Sequence, residues 1–443
     1  MKGIKSKLIF ILFFVIYSLL GIYYIDRSPT QGDETHHLLT IVSIAKDQDI
    51  DLTDNYQNID QYGFFKGKVD HHTIIRENKE YLFHGLGLFQ VILVPFYQIA
   101  GRLGVTIFLS TISALLIFNI YRYSTYVTKN EKLSFGVTFA IGLCLPLSNY
   151  SFLIFVETTA ALCILFFIRI IHSQKPNYLL LAILIGITPW LHLRFLLVTF
   201  VFIIILAYKT RNTKISRRFL YLIVPASSVL GYFLFTKYLY GSFDPTVATR
   251  EGMLPLNTRG NILINLINIL IDRSYGLFIF SPIFLFAIPG FIFWFRKSKI
   301  FALQTVSIIT IYLLPVLSYF DWNGGYSPPA RYLTPIIPLL IPPIILFLNQ
   351  SKSKFIKIIF MLFLGWGILC FYINFFTIPN YGFVYMDGGS QVIRWIYQVT
   401  HLNLYSFFAS YYPSKILNYK HLLELAIIFL GEIYFILSKY IKE

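Results

Sequence analysis

Apolar residues along this chain gather in runs of about twenty, the length an α-helix needs to cross a bilayer. Twelve runs are read as spanning helices, at 8–25, 103–121, 133–149, 153–171, 178–191, 195–208, 219–237, 277–295, 300–319, 332–348, 355–375 and 421–438. A further apolar segment, Gly85 to Ala100, is short, carries Gln90 and Pro95, and runs into Gly101-Arg102-Leu103-Gly104. It is read as interfacial or re-entrant, because counting it as a span would invert every helix after it. Between the first two spans lies a polar segment in which Leu38, Leu39, Ile41, Val42, Ile44 and Ala45 recur at helical spacing. That spacing predicts an amphipathic helix lying on the bilayer.

Composition supports the same class. Of 443 residues, 56% are hydrophobic and only 13% charged, roughly half the charge of a soluble domain. The net charge of +16 would point to nucleic acid if the basic residues formed one patch. They recur instead in short groups between the apolar runs: Lys2/Lys5/Lys7, Arg122/Lys129/Lys132, Arg169/Lys175, Lys209/Arg211/Lys214/Arg217/Arg218, Arg296/Lys297/Lys299, Lys352/Lys354/Lys357 and Lys439/Lys442. Only Glu131 and Glu443 share that side. The positive-inside rule therefore sets both termini in the cytoplasm.

The first apolar run, Leu8 to Ile25, is too long and lacks the small-residue exit of a cleaved signal. It is read as a first transmembrane helix with its N-terminus in the cytoplasm. Segments 26–102, 238–276, 320–331 and 376–420 then face outward and hold most of the carboxylates. The expected fold is an all-α polytopic membrane protein of about twelve transmembrane helices, with interfacial helices in a large first extracytoplasmic loop. Residues 1–350 form the principal module and 351–443 the C-terminal helices with their loop. Cys144, Cys163 and Cys370 lie inside apolar runs without paired spacing and read as packing residues.

Candidate chemistry gathers on the outward face. Gly32-Asp33-Glu34-Thr35-His36-His37 sets adjacent carboxylates beside two histidines. Asp33 there is either a general base or the cap of a helix starting at Thr35. His36, His37, His71 and His72 could join the carboxylates around a divalent metal, or be merely solvated. Asp47 to Tyr56 alternates acids like a calcium loop but lacks the glycine and closing glutamate of an EF-hand, so a turn of capping residues is the preferred reading.

The compact turn Asp321 to Leu333 ends with Arg331 at a helix start. That arrangement suits a phosphate at the membrane boundary, against the alternative of an interfacial anchor aided by Trp322 and Tyr326. Arg273 is a second phosphate contact or a partner of Asp272. Arg194, in His192-Leu193-Arg194, is another cation over the same cavity. Glu157 is a site carboxylate or a favourable N-terminal charge.

In order, Gly-Asp-Glu-x-His in the first loop, His84-Gly85-Leu86-Gly87, Glu157, His-Leu-Arg at 192–194, Asp-Arg-Ser-Tyr-Gly-Leu at 272–277 and Ser-Pro-Pro-Ala-Arg-Tyr-Leu at 327–333 resemble the bacterial GT-C type integral-membrane glycosyltransferases. These are related to the dolichyl-phosphate-mannose protein mannosyltransferases, and the resemblance runs through about residue 350. It implies a polyprenyl-phosphate sugar as donor and a glycan, lipid or protein as acceptor. It also implies a catalytic aspartate at Asp33 with Glu34 its neighbour, and donor phosphate contacts at Arg331, Arg273 and Arg194. His84, Glu157, His192 and Tyr332 are further site candidates. An aspartate base and a phosphate leaving group need no cofactor, although the histidines leave a divalent metal open. No glycine pattern for a nucleotide is present. The rival class is a lipid-linked glycan transporter or flippase, which would place charges at mid-membrane rather than at the outer surface.

Overall fold

The computed structural model describes residues 2–82, 87–248, 260–325, 327–377, 389–410 and 419–437. The chain begins with α1 (Lys2–Arg27), α2 (Asp33–Val42) and α3 (Thr53–Gln57). A hairpin of β1 (Thr73–Arg76) and β2 (Lys79–Leu82) follows. Then come α4 (Leu88–Thr128), α5 (Glu131–Gly142), α6 (Glu157–Ile171), α7 (Tyr178–Ile187), α8 (Leu196–Lys209) and α9 (Ile215–Tyr240). Later helices are named by their bounds.

Among the described residues, six helices are long and apolar enough to cross a membrane: Lys5–Arg27, Leu88–Thr128, Ile215–Tyr240, Lys299–Ser318, Arg331–Gln350 and Lys354–Thr377. The other expected spans are shorter or interrupted. The run at 133–149 ends as helix at Gly142, 178–191 passes into a 3-10 turn at Thr188, and 277–295 is cut into pieces at Ser281. Pro146, Pro189 and Pro282 stand at these breaks, and proline removes a backbone donor and clashes with the preceding turn. A hydropathy window does not register them. The last run, within Tyr419–Leu437, is an unbroken helix carrying Lys420, Glu424 and Glu432.

Of the segment Gly85 to Ala100, the described residues are helical from Leu88, and α4 breaks at its end. Ala100 (φ −147°, ψ 26°) and Gly101 (φ 57°, ψ −142°) leave helical geometry, so a short arm precedes the long body that packs along α1. Gly101 lies in the left-handed half of backbone space, where a side chain would be strained.

Two expectations for the first loop need correction. From Glu34 to Val42, α2 is buried; it is enclosed by protein and packs on α4, instead of lying on the bilayer with one face exposed. Its polar residues find partners inside, as Thr40 Oγ1 does by donating to His36 O at 2.9 Å. The chain is also not wholly α-helical. β1 and β2 pair antiparallel, Thr73 opposite Leu82 and Arg76 opposite Lys79. The two-residue turn has φ of 51° at Glu77 and 62° at Asn78, the handedness that matches strand twist. The hairpin docks on the end of α9, where Tyr240 Oη donates to Leu82 O at 2.7 Å.

Carboxylates of the acidic stretch after α2 accept hydrogen bonds from nearby protein groups. Asp51 Oδ1 accepts from Thr53 N at 3.1 Å and from Glu80 N at 3.0 Å, and Asp47 Oδ2 accepts from Asn55 Nδ2 at 2.9 Å. The three cysteines are free and buried.

The helix ends that carry the basic clusters meet one another. Lys297 Nζ donates to Val127 O at 2.6 Å, Tyr126 Oη to His172 O at 2.8 Å, and Asn130 Nδ2 to Asn349 Oδ1 at 2.7 Å. The ends without those clusters converge elsewhere, at the start of α2, the start of α6, the α7–α8 turn and Arg331.

Candidate active site

Asp33 is the first residue of α2, not its cap. Gly32 holds the cap position at φ 52°, with no side-chain hydrogen bond closing the turn. Free of that duty, Asp33 Oδ2 meets Arg331 Nη2 at 2.5 Å, across 298 residues of sequence. Its other oxygen, Oδ1, faces His72 Nδ1 at 3.9 Å.

Arg331 is placed by the turn before it. Gly324 and Gly325 take φ of 81° and 68°, and Ala330 takes 60°. Tyr150 Oη donates to Pro328 O at 2.7 Å, and Ala330 N to Tyr275 O at 3.0 Å. The guanidinium donates from Nε to Glu157 Oε1 at 3.0 Å and from Nη1 to Gly324 O at 3.1 Å. With the Asp33 contact, three of its five N–H donors are used among the described residues, leaving two for a ligand. Phe155 lies under the guanidinium at 4.4 Å from its ring centre.

Glu157 opens α6 and is wholly buried. The same oxygen, Oε1, accepts from Arg194 Nη2 at 2.7 Å. Arg194 also stacks over the Tyr332 ring at 4.8 Å, while His192 Nδ1 accepts from Arg194 N at 3.2 Å and so caps the short turn that presents it. Two guanidiniums and two carboxylates thus form one chain, Asp33–Arg331–Glu157–Arg194. Buried charge persists when it is paired and hydrogen-bonded in this way.

Asp321 lies half-buried in the same turn. Burial pushes its carboxyl up to about 6, with Arg331 opposing and the Asp33 charge adding to the rise.

Two of the sequence candidates stand apart from this cluster. Glu34 points away from Asp33: its oxygens accept from Tyr24 Oη at 2.5 Å, Ile154 N at 2.9 Å and Gln31 N at 3.3 Å. It ties α2 to α1 and to the chain before α6, and burial raises its carboxyl. Arg273 is turned to the C-terminal segment. Its N–H donates to Ala409 O at 2.8 Å and its guanidinium covers Tyr405 at 4.6 Å; among the described residues it contacts neither Asp33 nor Glu157. His84 lies outside the described residues.

The histidines form a rim of stacked and hydrogen-bonded rings. His36 stacks on His72 with ring centres 3.9 Å apart, and His71 on Tyr56 at 4.1 Å. Tyr56 Oη lies 2.7 Å from His36 Nδ1 and accepts from His72 N at 3.3 Å. His37 Nδ1 faces Gln90 Nε2 at 3.0 Å, and burial lowers the ring to about 4. Among the described residues, no three or more His, Cys, Asp or Glu side chains gather as a metal would require.

Sequence reasoning did not single out Phe155, the Gly324 carbonyl, Tyr56 or Gln90. Aromatic rings and backbone carbonyls carry no signal of their own in an aromatic-rich chain; Gln90, a lone amide in an apolar arm, was the one visible cue.

No family model and no curated protein matches the sequence. Two solved structures are similar in fold. One is ArnT from Cupriavidus metallidurans bound to undecaprenyl phosphate, 13% identical, with a TM-score of 0.47 over 97% of this chain and 76% of that one. The other is ArnT from the same organism in the apo state, 12% identical, with a TM-score of 0.48 and the same coverage.

Proposed function

We propose that this chain is a membrane glycosyltransferase that moves a sugar from a polyprenyl-phosphate donor to an acceptor hydroxyl. The observation that carries the reading is the contact of Asp33 Oδ2 with Arg331 Nη2 at 2.5 Å. It joins a carboxylate able to take a proton to a guanidinium suited to a phosphate, from positions 298 residues apart. The motif resemblance predicts those two roles for those two residues.

The reaction is a direct displacement. Asp33 takes the acceptor's proton as its oxygen attacks the anomeric carbon, and the bond from that carbon to the lipid phosphate breaks. Arg331 offers its remaining donors to the departing phosphate, stabilising the charge that develops there. Arg194 acts through Glu157: the shared oxygen fixes the orientation of Arg331 and balances the second cation. Tyr332 and Phe155 wall the guanidiniums. Glu34 is assigned an anchoring role, and Arg273 a contact with the C-terminal segment.

In this reading the paired ends at Asp33, Glu157, Arg194 and Arg331 face outward, opposite the basic clusters, with both termini in the cytoplasm. All four residues lie within 1–350. The acceptor class is a glycan, a lipid or a protein hydroxyl.

The test uses the full chain in detergent with an undecaprenyl-phosphate sugar labelled in the sugar. Release of undecaprenyl phosphate together with loss of label from the lipid supports transfer. Absence of release across a panel of pentose and hexose donors, with membrane extract supplied as acceptor, would sink it.

A further inference from the structure

We infer that His72 is the residue through which the proton taken by Asp33 leaves the site. The inference rests on the transferase reading above.

Asp33 has one oxygen on Arg331 and the other 3.9 Å from His72 Nδ1. A proton arriving at Oδ1 neutralises the carboxylate and leaves Arg331 short of a counter-charge, so the protonated pair is driven to pass the proton on. His72 is the adjacent acceptor that also reaches water: its side chain is 32% exposed. Its ring is held flat against His36, and its backbone N–H is fixed on Tyr56 Oη at 3.3 Å. The charged groups facing it are Asp33, Asp70 and Arg331. Burial keeps the ring below its ordinary range despite the two carboxylates, so it is neutral near pH 7 and able to accept.

The steps balance. The acceptor O–H bond breaks and its proton goes to Asp33 Oδ1. The 3.9 Å gap closes to hydrogen-bond distance as the His72 side chain shifts, the proton passes to Nδ1, and the imidazolium releases one from Nε2 to solvent, the ring returning to its Nε2–H tautomer before the next cycle. The lipid phosphate leaves with the electron pair of the broken bond and takes no proton. His72 is therefore a positioning and relay residue, acting on substrate only through Asp33.

His72→Ala in the full-length protein should lower kcat about 10- to 100-fold with the donor KM unchanged, and flatten the acidic limb of the pH profile. Imidazole in the buffer should restore rate, because the deleted ring leaves a solvent-open gap beside Asp33. His72→Gln should keep the fold and the donor KM without restoring kcat. Wild-type rates in His72→Ala across pH 5.5–8.5 overturn the inference, as does a loss that imidazole leaves untouched and that appears in KM. Wild-type protein is run in the same assay. No transfer by the wild type defeats the transferase reading itself, and the relay with it. Transfer by the wild type with His72→Ala unaffected defeats the relay alone.

Discussion

Glu157 Oε1 accepts from Arg331 Nε at 3.0 Å, joining residues 174 apart in sequence inside a wholly buried contact. Because that oxygen also holds Arg194, Glu157 is the hinge of the charge chain. Removing its charge leaves two buried guanidiniums against the single carboxylate of Asp33. Glu157→Gln is expected to destabilise the protein by about 3–5 kcal/mol, the range for breaking a buried pair. Chemical unfolding in detergent reads the loss, and an unchanged midpoint would contradict the assignment.

Asp33 and Glu34 are adjacent, yet they should separate cleanly under mutation. Asp33→Asn keeps the shape and removes the base, so kcat should fall by about 10²–10⁴, with a smaller loss of midpoint than Glu157→Gln because Arg331 keeps Glu157 and the Gly324 carbonyl as partners. Glu34→Ala removes the acceptor of Tyr24 Oη, Ile154 N and Gln31 N and should cost about 1–3 kcal/mol of stability. Its remaining activity should exceed that of Asp33→Asn. Paired melting curves and rates on the two variants check the contrast, and the reverse ranking would exchange their roles.

Much of this site was legible because charge is rare in an apolar chain, and each charge that remains has a reason to be there. Asp33, Glu157, Arg194 and Arg331 were singled out as charges away from the basic clusters, and the fold brings them into contact. For Arg273, read as a phosphate contact or a partner of Asp272, the observed contacts carry no such signal. Its partners are a backbone carbonyl at Ala409 and the Tyr405 ring, and neither announces itself in a sequence. Several of the expected spans are interrupted at proline, where hydropathy alone joins the pieces into one run. The burial of α2 was missed because helical periodicity describes one apolar face, while its histidines and threonines satisfy their polar atoms on the other.

Asp321 gives the site a pH dependence with a definite sign. Its folded value is raised to about 6 from an ordinary 3.8, so the ionised form is the one the fold disfavours. Its contribution to stability is complete below about pH 4 and is lost as pH rises through 6. Asp321→Asn should match the wild type near pH 4 and exceed it above pH 7, by at most about 3 kcal/mol. Ionised Asp321 also competes for Arg331, so undecaprenyl phosphate should bind the wild type more weakly above pH 6 than below it. Melting temperature and lipid binding measured from pH 4 to 8 test both, and parallel curves for wild type and Asp321→Asn would remove this role.

The turn before Arg331 offers the sharpest comparison, because its two glycines share a backbone problem and differ in what surrounds them. Gly324 and Gly325 both have positive φ, and either alanine should cost about 1 kcal/mol for entering that region. At Gly324 an added methyl would also meet Arg331 Cδ at 3.0 Å and Ser327 Oγ at 3.2 Å. At Gly325 the nearest atom is Asp321 Oδ2 at 4.0 Å, an ordinary contact. The two variants should therefore lose similar stability and differ in function. Gly324→Ala pushes on the Arg331 side chain and disturbs the carbonyl that Nη1 holds, so donor binding should weaken and kcat should fall. Gly325→Ala should keep both within about twofold of the wild type once folded. Donor KM and kcat beside melting temperature separate the cases, and equal loss of activity in both would mean that the turn serves the fold alone.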